Sequence, residues 1–159
     1  MEALIYGGHR VCVHLCLLFK LFITSGYLPV SLMHCVILPL VKNKGGDMSD
    51  LNNYRAIAVS SAVSTLFESV ITCHFENKVE VDKYQFGFKP GHSTSLCTSL
   101  FKQTVDYYKN HVFVCFVDFH KAFDSVNYWK LFNKLLDDNI NSNIIKLLAF
   151  WYSNQICFV

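Results

Sequence analysis

Val112-Phe113-Val114-Cys115-Phe116-Val117-Asp118-Phe119-His120-Lys121-Ala122-Phe123-Asp124-Ser125-Val126 is a run of six apolar residues that ends on one carboxylate and meets a second six positions later. Three of the six are valine. The run is too short for a free-standing helix, and β-branched and aromatic residues suit a sheet covered on both faces. It predicts a buried strand with Asp118 where the strand emerges. An ionised carboxylate there is costly unless a cation, hydrogen-bond donors or a metal ion compensates it. On spacing alone Asp118 could equally cap the following turn, so capping and catalysis both stay open.

Much apolar surface elsewhere must also be buried or covered. Of 159 residues, 52% are hydrophobic and only 16% charged. That is chain enough for one core, and greasy enough to point to a partner surface or an incomplete domain. A net charge of +2 neither favours nor excludes nucleic acid, because such binding needs a local basic patch rather than a basic average. Seven cysteines (Cys12, Cys16, Cys35, Cys73, Cys97, Cys115, Cys157) stand singly in apolar segments, with no CxxC pair and no Cys/His quartet at zinc spacing. They read as buried, reduced thiols of an intracellular protein, in nucleus or cytoplasm. Cys12, His14 and Cys16 come nearest to a ligand group, but in a greasy run this spacing reads as core filling.

Residues 11–23 form an apolar run that carries His14 and Lys20 and stops at Gly26 and Pro29. The run is shorter than the about 20 residues of a membrane span and lacks the flanks of a signal peptide. It predicts a buried helix ended by Gly26, and no membrane role. Val36–Val41 and Ala56–Val59 predict a hairpin, with Gly45-Gly46-Asp47 turning the chain and Pro39 at a strand edge or bulge. Lys42, Lys44 and Arg55 gather at its tip. Such a hairpin can fold over a polyphosphate, or it is an ordinary solvated loop.

Leu66, Phe67, Val70, Ile71 and Phe75 mark a scaffold helix over 64–79, with His74 a core or boundary residue. Tyr84 to Thr94 is dense in glycine, aromatics and turn formers, and it opens a helix that Ser93 or Thr94 can cap. Its aromatics could stack on bases or simply pack the loop. Trp129, Phe132, Leu135, Leu136 and Ile140 return to helical spacing, which puts Asp137-Asp138 on a helix end and not in a metal-binding hairpin. A last helix covers Ile144–Tyr152, and Gln155 to Val159 looks like the start of a strand.

Three of these stretches, in this order, resemble the reverse transcriptase domain of non-LTR, LINE-type retrotransposons, and the resemblance spans essentially the whole chain. Leu38-Pro39-Leu40-Val41-Lys42 with Asn53-Tyr54-Arg55-Ala56-Ile57 is similar to a fingers motif of that family. Gln85-Phe86-Gly87-Phe88-Lys89-Pro90-Gly91-His92-Ser93-Thr94 is similar to a second motif, and Val117 to Val126 to the first palm motif. The resemblance implies an α+β fold, the fingers and partial palm of a right-hand polymerase, with an antiparallel palm sheet that is incomplete here. It divides the chain into an N-terminal helical part at 1–35, a fingers-like region at 36–110 and the start of the palm at 111–159.

It also implies RNA-directed DNA synthesis by two-metal nucleotidyl transfer, with RNA template, DNA primer and dNTP as partners and Mg²⁺ as cofactor. In that pattern Asp118 is the catalytic aspartate and a ligand to both ions, and the backbone carbonyl of Phe119 completes one metal shell. Lys42 and Arg55 match cations that grip the incoming triphosphate. Phe123 matches the aromatic that excludes a 2′-hydroxyl, a role compatible with core packing. Gln85, Gly87, Phe88 and Lys89 match a template-side segment. Asp124 is expected to be structural, capping the helix that begins near Asn127.

Ala56, His120 and Lys89 stand where the family has proline, serine and arginine. The larger departure is the second carboxylate set, which the family draws from an aromatic-x-Asp-Asp hairpin. Neither that hairpin, nor the glycine-rich motif that holds the base, nor a thumb follows Asp118. The expectation is a truncated domain, inactive alone, that self-associates through an exposed palm face. A rival from another class is a noncatalytic nucleic-acid-binding or interaction module derived from a reverse transcriptase. A third is a small membrane protein anchored by residues 11–23.

Overall fold

The computed structural model describes residues 2–75, 78–79, 81–108, 111–119 and 121–159. The chain forms two compact units, Met1–Lys78 with Tyr128–Val159, and Val79–Asn127.

The first unit is organised on the hairpin. Its β-branched strands pair antiparallel, β1 (His34–Val41) with β2 (Tyr54–Ser60), in a register running from Cys35 opposite Ser60 to Val41 opposite Tyr54. A third strand, β3 (Ile156–Phe158), joins the far side of β1 in parallel, giving the order β2-β1-β3. The sheet is therefore mixed and not antiparallel. A parallel neighbour needs a long crossover, and here the chain reaches β3 through a helix, α6 (Ser142–Asn154). β3 pairs only with His34 to Val36. Pro39 thus lies where β1 has one neighbour, the situation in which a strand tolerates a residue without an N–H.

Three helices build the core of this unit. After a short α1 (Glu2–Tyr6), α2 (Gly8–Ser25) ends on Gly26, whose φ of 66° is the left-handed cap that glycine takes without strain; its N–H donates to the Phe22 carbonyl at 3.0 Å. Phe19 and Phe22 of α2 meet Phe67 of α3 (Ala62–Phe75) at ring-centroid distances of 4.9 and 5.5 Å, and Trp151 of α6 stacks on Phe67 at 5.8 Å. Each such ring removed from water contributes about 1.5–3 kcal/mol. The buried Ser64 hydroxyl donates to the Leu32 carbonyl at 2.9 Å, pinning the start of α3 to the turn before β1.

α2 departs from expectation in its burial. Only Phe19 and Phe22 are buried, while Val13, Leu17, Leu18 and Leu21 are exposed. The pair one turn apart covers a narrow stripe, and these other apolar side chains stay open to solvent. By length and composition α2 could cross a membrane, with a mean hydropathy of 1.2 over 18 residues. The cysteines follow the same rule: all are free, and Cys35 alone is buried. His74 is likewise exposed, its Nδ1 paired with the Val70 carbonyl one turn back.

α5 (Tyr128–Asp137) closes as the sequence suggests. Asn139 takes φ 57°, its N–H donates to Leu136, and the N–H of Ile140 donates to Leu135. These are the two bonds of a Schellman stop, with buried Ile140 as its apolar anchor. Asp137-Asp138 is a helix terminus.

Among its described residues the second unit holds one regular element, α4 (Thr94–Tyr107), whose N-cap Ser93 accepts from the Leu96 N–H at 3.2 Å. The expected strand over 112–118 does not form. Residues 111–119 have no regular structure, and Phe113 is 96% exposed. Backbone N–H and C=O groups need neighbours to make a ladder, and every described strand belongs to the first unit. Within the apolar run Phe116 meets Phe101 of α4 edge-on at 6.0 Å.

Candidate functional site

The first group of expected site residues is organised by the loop between β1 and β2. Asn43 and Gly46 close a turn, with the Gly46 N–H donating to the Asn43 carbonyl at 3.1 Å. The side chain of Asn53 then holds the loop together. Its Oδ1 accepts from the Asn43 N–H, and its Nδ2 donates to the carbonyls of Asn43 and Asp47, all at 3.0–3.1 Å. A Cβ on Gly46 would sit 3.2 Å from that Nδ2 and 3.3 Å from the Asn43 carbonyl, so a larger residue there would press on the pinning amide. Tyr54 adds a bond from its hydroxyl to the Met48 carbonyl at 2.8 Å.

This network holds the first of the two cations. Lys42 donates through its ammonium to the Asn52 carbonyl at 2.7 Å, and its backbone N–H donates to Asn53. Arg55 sits on β2 opposite Leu40, exposed, two residues beyond Asn53. In the same loop Asp47 accepts from both the hydroxyl and the N–H of Ser49, which holds its carboxyl below the usual range. Asn53 and Tyr54 were legible as motif letters, but their work as loop pins was not.

The second group lies in the other unit. Gln85 donates from Nε2 to the Gly87 carbonyl at 3.0 Å, and Phe88 follows at φ 57°. Left-handed backbone is uncommon for a bulky residue, and here it turns the Phe88 ring outward, 92% exposed. Gly87 meets nothing within 4 Å, so packing does not demand glycine there, whereas Gly91 at φ 73° does need it. Lys89 is half-buried, and its carbonyl accepts from the His92 N–H at 3.2 Å, closing the turn that delivers Ser93 to its cap. Phe123 comes from the turn 121–125, which opens on Lys121 at φ 49°. Its ring meets Phe88 edge-on at 6.3 Å.

Asp118 and Phe119 lie in the irregular segment, both exposed, and Asp124 lies in the turn before α5. His120 falls outside the described residues. Two-metal chemistry needs several carboxylates converging on one point. Among the described residues no group of three His, Cys, Asp or Glu side chains gathers to hold an ion. The described residues do not fit such a centre.

One comparison decides the family. The model for reverse transcriptase (RNA-dependent DNA polymerase) matches residues 41–157. The chain belongs to the reverse transcriptase family. No curated protein matches it. Members of this family are RNA-directed DNA polymerases that work with divalent metal ions on a template, a primer and deoxynucleotides. The matched span takes in the Asn53–Ile57, Gln85–Thr94 and Val117–Val126 motifs and borders Leu38–Lys42. The mixed α+β architecture is compatible with the reverse transcriptase fold.

In this reverse transcriptase chain the structure brings together Gln85 and Gly87 through a hydrogen bond, and Phe88 and Phe123 through their rings, while Lys42 is tied to the hairpin loop and Arg55 stands on β2 opposite Leu40.

Proposed function

We propose that the chain is part of the reverse transcriptase of a non-LTR, LINE-type retrotransposon, whose reaction is nucleotidyl transfer from deoxynucleoside triphosphates onto a primer. The observation that carries this reading is the order along the chain of three stretches, Leu38–Lys42 with Asn53–Ile57, Gln85–Thr94 and Val117–Val126, that resemble LINE-type motifs. In this reading residues 1–35 are an N-terminal helical part, 36–110 a fingers-like region and 111–159 the start of the palm.

Lys42 and Arg55 grip the triphosphate, a role supported by their exposure around one pinned loop. Phe123 lies against the nucleotide sugar. Gln85, Gly87, Phe88 and Lys89 face the template. Asp118, with the Phe119 carbonyl, holds the position of the family's catalytic, Mg²⁺-binding aspartate. The isolated chain is inactive, because the sequence carries no second carboxylate motif to complete that position. A primer-extension assay on homopolymer RNA with Mg²⁺ should show no incorporation. Incorporation that disappears in Asp118→Ala would overturn the inactivity.

A second reading, a noncatalytic nucleic-acid-binding module, is favoured by one observation: Phe88, Phe113, Phe116, Phe119 and Phe123 all expose most of their surface. Base–aromatic stacking contributes about 1–3 kcal/mol per base and tolerates any sequence. Salt-dependent RNA binding that is indifferent to added dNTP would favour this reading over the first. The same rings would also support self-association.

A further inference from the structure

Two cysteines that stand far apart in the sequence meet where β3 joins β1. Cys35 and Cys157 are register partners in the parallel pair, and their Sγ atoms lie 2.8 Å apart. Adjacent strands run about 4.7–4.9 Å apart, which falls within the Cα separation of about 4.4–6.8 Å that a disulfide accepts. The two thiols differ in access: Cys35 is 2% exposed, whereas Cys157 is open to solvent. Gln155 donates from Nε2 to the Cys35 sulfur at 3.6 Å, fixing that side chain in the pair.

We propose that Cys35 and Cys157 form a reversible thiol–disulfide pair that fastens β3 to β1, with a small-molecule disulfide of the glutathione class as the oxidant. Entry is through Cys157. Its thiolate attacks one sulfur of the oxidised reagent, forming a mixed disulfide and expelling one reagent thiolate. Cys35 then loses its proton and attacks the Cys157 sulfur, forming the protein disulfide and expelling the second reagent thiolate. The protein loses two electrons, the reagent gains them, and the two cysteine protons end on the released thiols. The neighbouring Cys157 thiol, and after it burial, hold the Cys35 thiol above its ordinary value of 9.0. This suits Cys35 to the second, intramolecular step rather than to first attack.

β3 is three residues long and exposed throughout, held to β1 by three register pairs. A covalent tie therefore changes its status from an edge that frays to one that stays docked.

The test treats the reduced full chain with oxidised glutathione, blocks remaining thiols by alkylation and maps peptides without reduction. The expected result is a cross-linked peptide pair containing Cys35 and Cys157, two hydrogens lighter than the separate peptides. Cys35→Ser should stop at a glutathione adduct on Cys157, and Cys157→Ser should leave Cys35 free. Amide exchange at Cys157 and Phe158 should slow at least several-fold on oxidation and recover with dithiothreitol. Adducts at Cys12, Cys16, Cys73, Cys97 or Cys115 with no Cys35–Cys157 peptide would overturn the proposal. A cross-link that leaves β3 exchange unchanged would overturn the fastening.

Discussion

The Phe88 ring meets the Phe123 ring edge-on, with centroids 6.3 Å apart and planes at 89°. The two residues come from different motifs, so one aromatic contact links the loop before α4 to the turn before α5. Such pairs add about 0.5–1.5 kcal/mol beyond area burial, and two mostly exposed rings should fall at the low end. Phe88→Leu should abolish the ring-current shift on the Phe123 protons in an NMR spectrum. A double-mutant cycle with Phe123→Leu should return a coupling of about 0.5 kcal/mol. Unchanged Phe123 resonances would mean that the rings do not meet in solution.

Asn53→Ala should loosen the β1–β2 loop. It removes one acceptor and two donations, and in this partly exposed setting the loss should be on the order of 1–2 kcal/mol. Asn53→Asp keeps the acceptor for the Asn43 N–H and loses both donations, so it should not restore stability. Denaturant midpoints measure the stability. Affinity for an inorganic polyphosphate should fall in the same variants, because Lys42 is anchored to this loop.

Phe67 touches Phe19, Phe22 and Trp151. Phe67→Ala should cost about 3–5 kcal/mol, a large fraction of the about 5–15 kcal/mol available to a domain. Loss of the cooperative fluorescence transition is the expected readout. Ser64→Ala is the milder control. It leaves the Leu32 carbonyl without that donor, at about 1–3 kcal/mol.

Glu68 lines a pocket of about 300 Å³ with Leu148, Trp151, Tyr152 and Gln155, and burial raises its carboxyl above the ordinary 4.5. The folded state therefore holds the proton more tightly than the unfolded chain. The stability this group contributes is fully present below about pH 4.5 and is lost as pH rises through the folded value. Glu68→Gln should flatten that fall, raising the melting temperature more at pH 7 than at pH 4. Equal shifts at both pH values would show that ionisation is not the cause.

Elements that depend on neighbours in sequence were legible. Gly26 ends α2, Ser93 caps α4, and α5 stops at Asp137 because each end is decided by a few adjacent residues. The hairpin was legible too, since two apolar runs flanking a glycine turn specify each other. Val112 to Val117 failed because a strand is a relation between segments. Its composition suits a sheet, but composition supplies no partner, and the described strands lie in the other unit. Burial of α2 and of the cysteines failed for a related reason: hydropathy shows what could be covered, not what is present to cover it. Motif letters located Lys42, Arg55, Gln85, Phe88 and Phe123, but not the pinning amide of Asn53 or the pairing of Cys35 with Cys157.

The parallel seam between β1 and β3 joins residues 122 positions apart in the chain. During synthesis, at about 5–20 residues per second, β1 and β2 would leave the ribosome several seconds before β3 exists. Through that interval the β1 edge at His34 to Val36 stands open, an apolar template for any passing strand. The nascent hairpin is thus a stage at which this edge is open to mispairing until Ile156 to Phe158 arrive to cover it.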